Sequence, residues 1–279
     1  MKIIKYLSLI LAVTLTVSCE KHVIEFDATP SVNKAEFQLH YMAPVPAVAA
    51  NNITKVEING QLFANNKAPL NTYNAIPSGS VGKFYAVDPG SVNIKMYTGT
   101  DMATLVYDQS TALTAGKQNI FVHDFTKVPV VFDNGYPYIP NVTEVTDSTA
   151  WVKFYNFLYE TSGVPYDKKI QYQYVDSRTS ALVNIGQPVA FGETTGWQKI
   201  IVVKSVPISQ GSRTITFKMK EVDNSGVTIG DLQVMGTGGT YAAYTGTSTL
   251  NIGRRYHHTM AGFRAVKSPN SSVRTFTAL

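Results

Sequence analysis

Apolar and polar residues alternate with a period of two in short runs along most of this chain, and glycine- or proline-bearing turns separate the runs. Successive side chains on a strand point to opposite faces, so this period selects β-structure and excludes a helical fold. Phe37, Leu39 and Tyr41 alternate with Glu36, Gln38 and His40, which predicts a half-buried strand. Val56 to Ile58 runs into Asn59-Gly60, a hairpin signal because both residues tolerate positive φ. Asp88-Pro89-Gly90-Ser91 predicts a turn, and Val92, Ile94 and Met96 then alternate with Asn93, Lys95 and Tyr97. Thr104 to Tyr107 and Asn119 to Phe125 complete this set, with a turn at Leu113 to Lys117. Hydrophobic residues make up 44% of the 279 and charged residues 15%, which sets the chain apart from disordered sequences. Short strands between such turns predict a sandwich.

The pattern then restarts. Trp151, Lys153, Tyr155, Phe157 and Tyr159 share one strand face, and Val152, Phe154 and Leu158 share the other. Ala35–Tyr41 aligns with Ala150–Asn156, Gly90–Met96 with Gly211–Phe217, and Leu113–Lys117 with Leu250–Arg254. The extra length of the second copy falls between strands, where loops absorb it. The expected class is all-β, with two tandem β-sandwiches at 35–126 and 149–266. Residues 127–148 hold Pro129, Pro137 and Pro140 and are expected to form a Pro-rich linker or an ordered crossover. Residues 267–279 are expected to be a basic C-terminal tail.

Met1 to Lys5 is basic, and Tyr6 to Val17 is an apolar run too short to span a bilayer, which takes about 20 residues. It ends at Leu15-Thr16-Val17-Ser18-Cys19, which resembles the lipobox of bacterial lipoproteins, with Leu one place early. The resemblance implies a signal peptide over 1–18, cleavage before Cys19, lipid on its sulfur and a lipidated tether over 19–34. The alternative is an ordinary signal-peptidase site beside an ordinary cysteine. Two or three acyl chains anchor firmly where one does not. The expected setting is therefore the cell envelope, lipid-anchored in the outer membrane and facing periplasm or surface. Glu20-Lys21 faintly resembles the acidic export signals of Bacteroidota surface lipoproteins. Cys19 is the sole cysteine, so no disulfide can form within the chain. Losing Lys2 and Lys5 with the leader takes the formal charge from +5 to 22 − 19 = +3, too weak to indicate nucleic acid as a partner.

Val-Glu-Ile-Asn-Gly at 56–60, the Pro-Gly turn before Val-Asn-Ile-Lys-Met-Tyr at 92–97, and Leu-Thr-Ala-Gly-Lys at 113–117 together resemble the domain-of-unknown-function family four-three-nine-seven. Residues 35 to 126 carry the match. Residues 149 to 266 match loosely and lack the Asn-Gly turn and the Pro-Gly pair. The resemblance implies immunoglobulin-like sandwiches and an envelope setting in bacteria such as Bacteroidota. It brings no catalytic residue and no ligand.

No metal site or cofactor is expected. His257 and His258 are strand neighbours on opposite faces, and His22, His40 and His123 form no spaced ligand motif with them. Asp223-Asn224-Ser225-Gly226 has calcium-compatible oxygens but reads as a hairpin turn. Pro77 to Gly82 lacks the nucleophile-elbow spacing, and Gly236 to Thr240 lacks the Lys and the following helix of a phosphate cradle. Exposed aromatic rings can stack on sugars or anchor partners. Tyr136, Tyr138, Tyr241 and Tyr244 are the candidate ligand-binding rings, while Tyr155, Tyr159, Tyr166, Tyr172 and Tyr174 suit sheet packing. The basic end at Arg254, Arg255, Arg264, Lys267 and Arg274 reads as a solvated face or an anion-facing one. Asp147-Ser148-Thr149 resembles a Bacteroides-type O-glycosylation acceptor, with Ser148 as the site. The expected function is non-catalytic binding or adhesion to an extracellular polymer, a glycan or a surface partner protein. A surface glycan hydrolase and a structural spacer or assembly subunit are the alternatives.

Overall fold

A computed structural model describes residues 33–77, 82–133, 148–203 and 211–278. They form strands almost throughout, with one 3-10 turn at Ala49–Asn51. The fold is all-β. Cys19, Tyr136 and Tyr138 lie outside the described residues, as does the expected signal peptide over 1–18. Among the described residues, no helix is long and apolar enough to cross a membrane.

The first half runs β1 (Ala35–Tyr41), β2 (Lys55–Ile58), β3 (Gln61–Ala64), β4 (Ala75–Ile76), β5 (Tyr85–Val87), β6 (Gly90–Thr98), β7 (Thr104–Leu113), β8 (Gly116–Val122) and β9 (Val130–Asp133). Its outer sheet has the order β3-β2-β6-β7, and its inner sheet β4-β1-β8-β9 with β5 also on β1. The second half runs β10 (Thr149–Thr161), β11 (Val164–Pro165), β12 (Lys169–Val175), β13 (Leu182–Asn184), β14 (Thr194–Ile201) and β15 (Ser212–Val222). It continues through β16 (Thr228–Asp231), β17 (Gln233–Met235), β18 (Tyr241–Ala243), β19 (Thr245–Asn251), β20 (Arg255–Phe263) and β21 (Ser272–Thr277). Its inner sheet is β11-β10-β20-β21 with β14 on β10, its outer sheet is β13-β12-β15-β16 with β19 on β15, and β17-β18 is a separate ribbon.

The same pairings recur in both halves. β1 pairs parallel with β8, and β10 pairs parallel with β20. β6 pairs antiparallel with β7, and β15 with β19. Glu36 faces Lys117 and Trp151 faces Arg255. The strand registers therefore align Lys117 with Arg255, one residue beyond the alignment read from sequence. The second turn is one residue longer: two residues separate β7 from β8, and three separate β19 from β20. The Asn59-Gly60 turn forms as expected, with φ of 50° and 79°.

Each half closes over its own core. In the first, Phe37, Leu39 and Tyr41 of the inner sheet meet Val92, Ile94 and Met96 of the outer sheet. In the second, Val152 and Phe154 meet Tyr172, Phe217 and Met219. A third cluster joins the two inner sheets, with Met42, Tyr73 and Phe121 against Tyr155, Phe157 and Phe276. Phe121 lies 4.6 Å from Tyr155 and 5.0 Å from Phe157, centroid to centroid. The layer order is outer, inner, inner, outer.

This corrects three expectations. β1 is not half-buried: Gln38 and His40 on its second face are as buried as Phe37, because the other half covers that face. The proposed linker contains β9, which pairs with β8, so the first half extends past residue 126. The proposed basic tail contains β21, which covers the edge of β20 and places Phe276 in the junction 4.9 Å from His40. Two residues of the basic end are engaged rather than gathered: Arg264 is bidentate to Glu160 at 2.5 and 2.6 Å, and Arg274 lies over the Tyr73 ring at 4.7 Å.

Candidate functional site: a hydroxyl-lined pocket at the edge of the second half

The hollow arises from small residues at the inward positions of β19. Gly246 faces Phe217 and Ser248 faces Ile215 across the register with β15. A larger side chain at either inward position would fill the space between the two sheets. A Cβ at Gly246 would lie 2.6 Å from the Tyr244 hydroxyl oxygen, so the close approach of that ring requires glycine here. On the facing edge, β21 turns Val273 and Thr275 inward, and Ser248 and Thr275 hydroxyls meet at 3.2 Å. The result is a pocket of about 380 Å³, within the range of ligand sites.

Its lining divides into two parts. Tyr172, Phe217, Tyr244 and His258 supply rings, and the inward-facing Ser248, Ser271 and Thr275 supply hydroxyls. The lining contains no Asp, Glu, Lys or Arg. The Tyr172 hydroxyl lies 2.9 Å from His258 Nδ1. Burial pushes the His258 imidazole down to about 3, so the ring is neutral at physiological pH. Burial likewise pushes the Tyr172 phenol well up. In the pocket, His258 Nε2 and Ser271 Oγ are buried without a hydrogen-bond partner. Such atoms cost about 1–3 kcal/mol each when left unanswered.

Of the candidate tyrosines in the described residues, Tyr241 is 48% exposed and Tyr244 is 8% exposed. Tyr241 belongs to β18 rather than a loop, and the Arg264 guanidinium sits 5.4 Å from its ring. Tyr244 is no exposed stacking surface; its hydroxyl accepts from the Val273 backbone N–H at 3.2 Å and walls the pocket. Ser148 is half-buried just before β10, with its carbonyl accepting from Val202 N–H at 2.5 Å. Gly236 to Thr240 is the hydrogen-bonded turn of the β17-β18 ribbon. Asp223 to Gly226 is the expected hairpin turn, Asp223 Oδ1 accepting from Ser225 Oγ and Val227 N–H.

Sequence reasoning missed His258 and the hydroxyls of β19 and β21 as a site. The available signal was Thr245-Gly246-Thr247-Ser248-Thr249, a strand whose inward positions are too small to fill a core. His257 and His258 do point to opposite faces: His257 Nδ1 lies 2.9 Å from the Tyr155 hydroxyl in the junction, while His258 faces the second core. Among the described residues, no group of three or more His, Cys, Asp or Glu side chains could hold a metal ion.

No family model matches the chain. No curated protein matches it either. Among solved structures it is similar to a crystal structure from Bacteroides eggerthii named a "putative cell adhesion protein", at 9% identity and a TM-score of 0.25, over 88% of this chain and 96% of that one. At that TM-score the likeness carries no argument, and the resemblance to family four-three-nine-seven rests on the quoted motifs alone.

Proposed function

We propose that this chain is a lipid-anchored, non-catalytic binding module of a bacterial cell envelope, and that the edge pocket holds a neutral sugar unit of an extracellular polymer. One observation carries the reading: an uncharged, hydroxyl-bearing lining that includes two buried polar atoms without partners, His258 Nε2 and Ser271 Oγ. A sugar hydroxyl both donates and accepts, so it can answer His258 Nε2 in either tautomer and the serine hydroxyls as well. The Tyr172, Phe217 and Tyr244 rings supply apolar surface to a pyranose. Glycoside hydrolysis by the usual route takes a pair of carboxylates, and the lining contributes none. The Cys19 motif supports the anchor and the envelope setting.

The test is a panel of neutral and acidic glycans and envelope polysaccharides, read for both binding and reducing-end release. Saturable binding of a neutral glycan without release is expected, at least tenfold weaker in Ser248→Val, whose side chain fills the hollow. Release would overturn the non-catalytic reading, and silence on neutral glycans would overturn the sugar reading. A spacer is the second reading, favoured by the buried aromatic junction between the inner sheets.

A further inference from the structure

The outer sheet of the second half carries a second concavity that shares no residue with the edge pocket. It begins with alternation on β12. Ile170, Tyr172 and Tyr174 enter the core, so Lys169, Gln171 and Gln173 face outward. The register sets Lys220 beside Gln171, and both Lys218 and Asn184 beside Gln173. The loop after β13 rises over this row, and its Gly186 carbonyl accepts from Gln171 Nε2 at 3.1 Å. The groove so formed measures about 560 Å³.

Its chemistry differs from that of the edge pocket. Two lysines, Lys169 and Lys220, line it, and no Asp or Glu does. Lys220 is paired with Asp231 at 2.6 Å. Lys169 has no ion pair among the described residues, and Lys218 adds a third outward cation on β15. The corresponding sheet of the first half is balanced: Lys55 pairs with Glu57 at 3.3 Å and Lys95 with Asp108 at 3.7 Å. The amides are held in place. Gln173 Nε2 donates to Asn184 Oδ1 at 2.8 Å, which leaves Gln173 Oε1 buried without a partner. That oxygen is an acceptor waiting for a donor.

We propose that this groove binds an anionic polysaccharide, with Lys169 and Lys220 taking its acidic groups and Gln173 and Asn184 its ring hydroxyls. Lys169 lies diagonal to Lys220 across the β12–β15 ladder, about 7–8 Å away, so the two cations can serve one chain together. A nucleic acid fits less well because no aromatic ring lines the groove to stack a base. A protein partner fits less well because the lining lacks the aromatic and arginine anchors that dominate such interfaces. The anionic group is a carboxylate or a sulfate, and the two are distinguished by the probe.

The experiment titrates the full chain with polygalacturonate, dextran sulfate and neutral dextran at low and high salt. At least one anionic polymer is expected to bind tenfold or more tightly than dextran, and to weaken as salt rises. Lys169→Gln/Lys220→Gln should lose at least tenfold of that affinity. Lys55→Gln on the outer sheet of the first half should leave it within twofold. If the double variant does not fold, Lys169→Gln alone is read, with a threefold loss expected. Equal binding of dextran and both anionic polymers, no binding of either anionic polymer, or lysine variants that bind as the parent does would each overturn the proposal.

Discussion

His40, His123, His257 and His258 sit buried in a chain whose other polar residues mostly face solvent. Burial pushes His40 down to about 4, partly offset by its 3.1 Å hydrogen bond to Asn119. Burial, followed by the charges of His40, Lys153 and His258, holds His257 well below the ordinary range. In the unfolded chain each returns to about 6.5, so below that pH the unfolded state takes up protons that the folded state refuses. The stability held above pH 6.5 is therefore lost as pH falls toward about 4, by about 1.4 kcal/mol per pH unit for each fully buried imidazole. Urea denaturation should show a marked loss of stability between pH 7 and pH 5. His40→Phe, which keeps a ring against Phe121, should lose about 2 kcal/mol less over that interval. A parallel decline in parent and variant would contradict the assignment. The opposite facing of His257 and His258 was legible because strand alternation dictates it. The burial of Tyr244 was not, because it follows a three-residue strand whose register no periodicity reveals.

The strands of the first half could be read from sequence with little loss: Val92, Ile94 and Met96 are all fully buried, as their alternation requires. Alternation reports faces and says nothing about neighbours, so the parallel pairs β1–β8 and β10–β20 had no sequence signature. β9 and β21 were missed because each lies near prolines, at Pro129 and Pro269, that read as loop. β20 carries the most constrained backbone position. Gly262 has φ of +105°, and a Cβ there would lie 2.6 Å from the Asn270 carbonyl oxygen and 2.9 Å from Ser271 Cα. Gly226 has φ of +89° and open space around it. Gly226→Ala should cost about 1–2 kcal/mol, the backbone penalty alone. Gly262→Ala should cost clearly more, because the segment that leads into β21 must shift. Equal losses in thermal melts of the two variants would show that the close approach does not matter.

At the scale of the molecule, Asn33–Leu279 forms one compact unit. The reason is the junction. β10 carries apolar residues on both faces, with Val152 and Phe154 toward its own core and Tyr155 and Phe157 toward the first half. A sheet apolar on both faces must be covered on both. That signal was visible in the sequence, yet it was compatible with a separate domain until the partner face was known. Phe157→Ala should cost about 3–5 kcal/mol and split one calorimetric transition into two; a single unchanged transition would mean the halves are not coupled through this cluster. The pocket proposed to hold a sugar unit lies between β19 and β21. The decisive measurement is hydrogen exchange of the full chain with and without a bound neutral oligosaccharide. Slowed exchange confined to residues 244–248 and 270–275 is the expected result. Protection elsewhere, with these two edges unchanged, would contradict it.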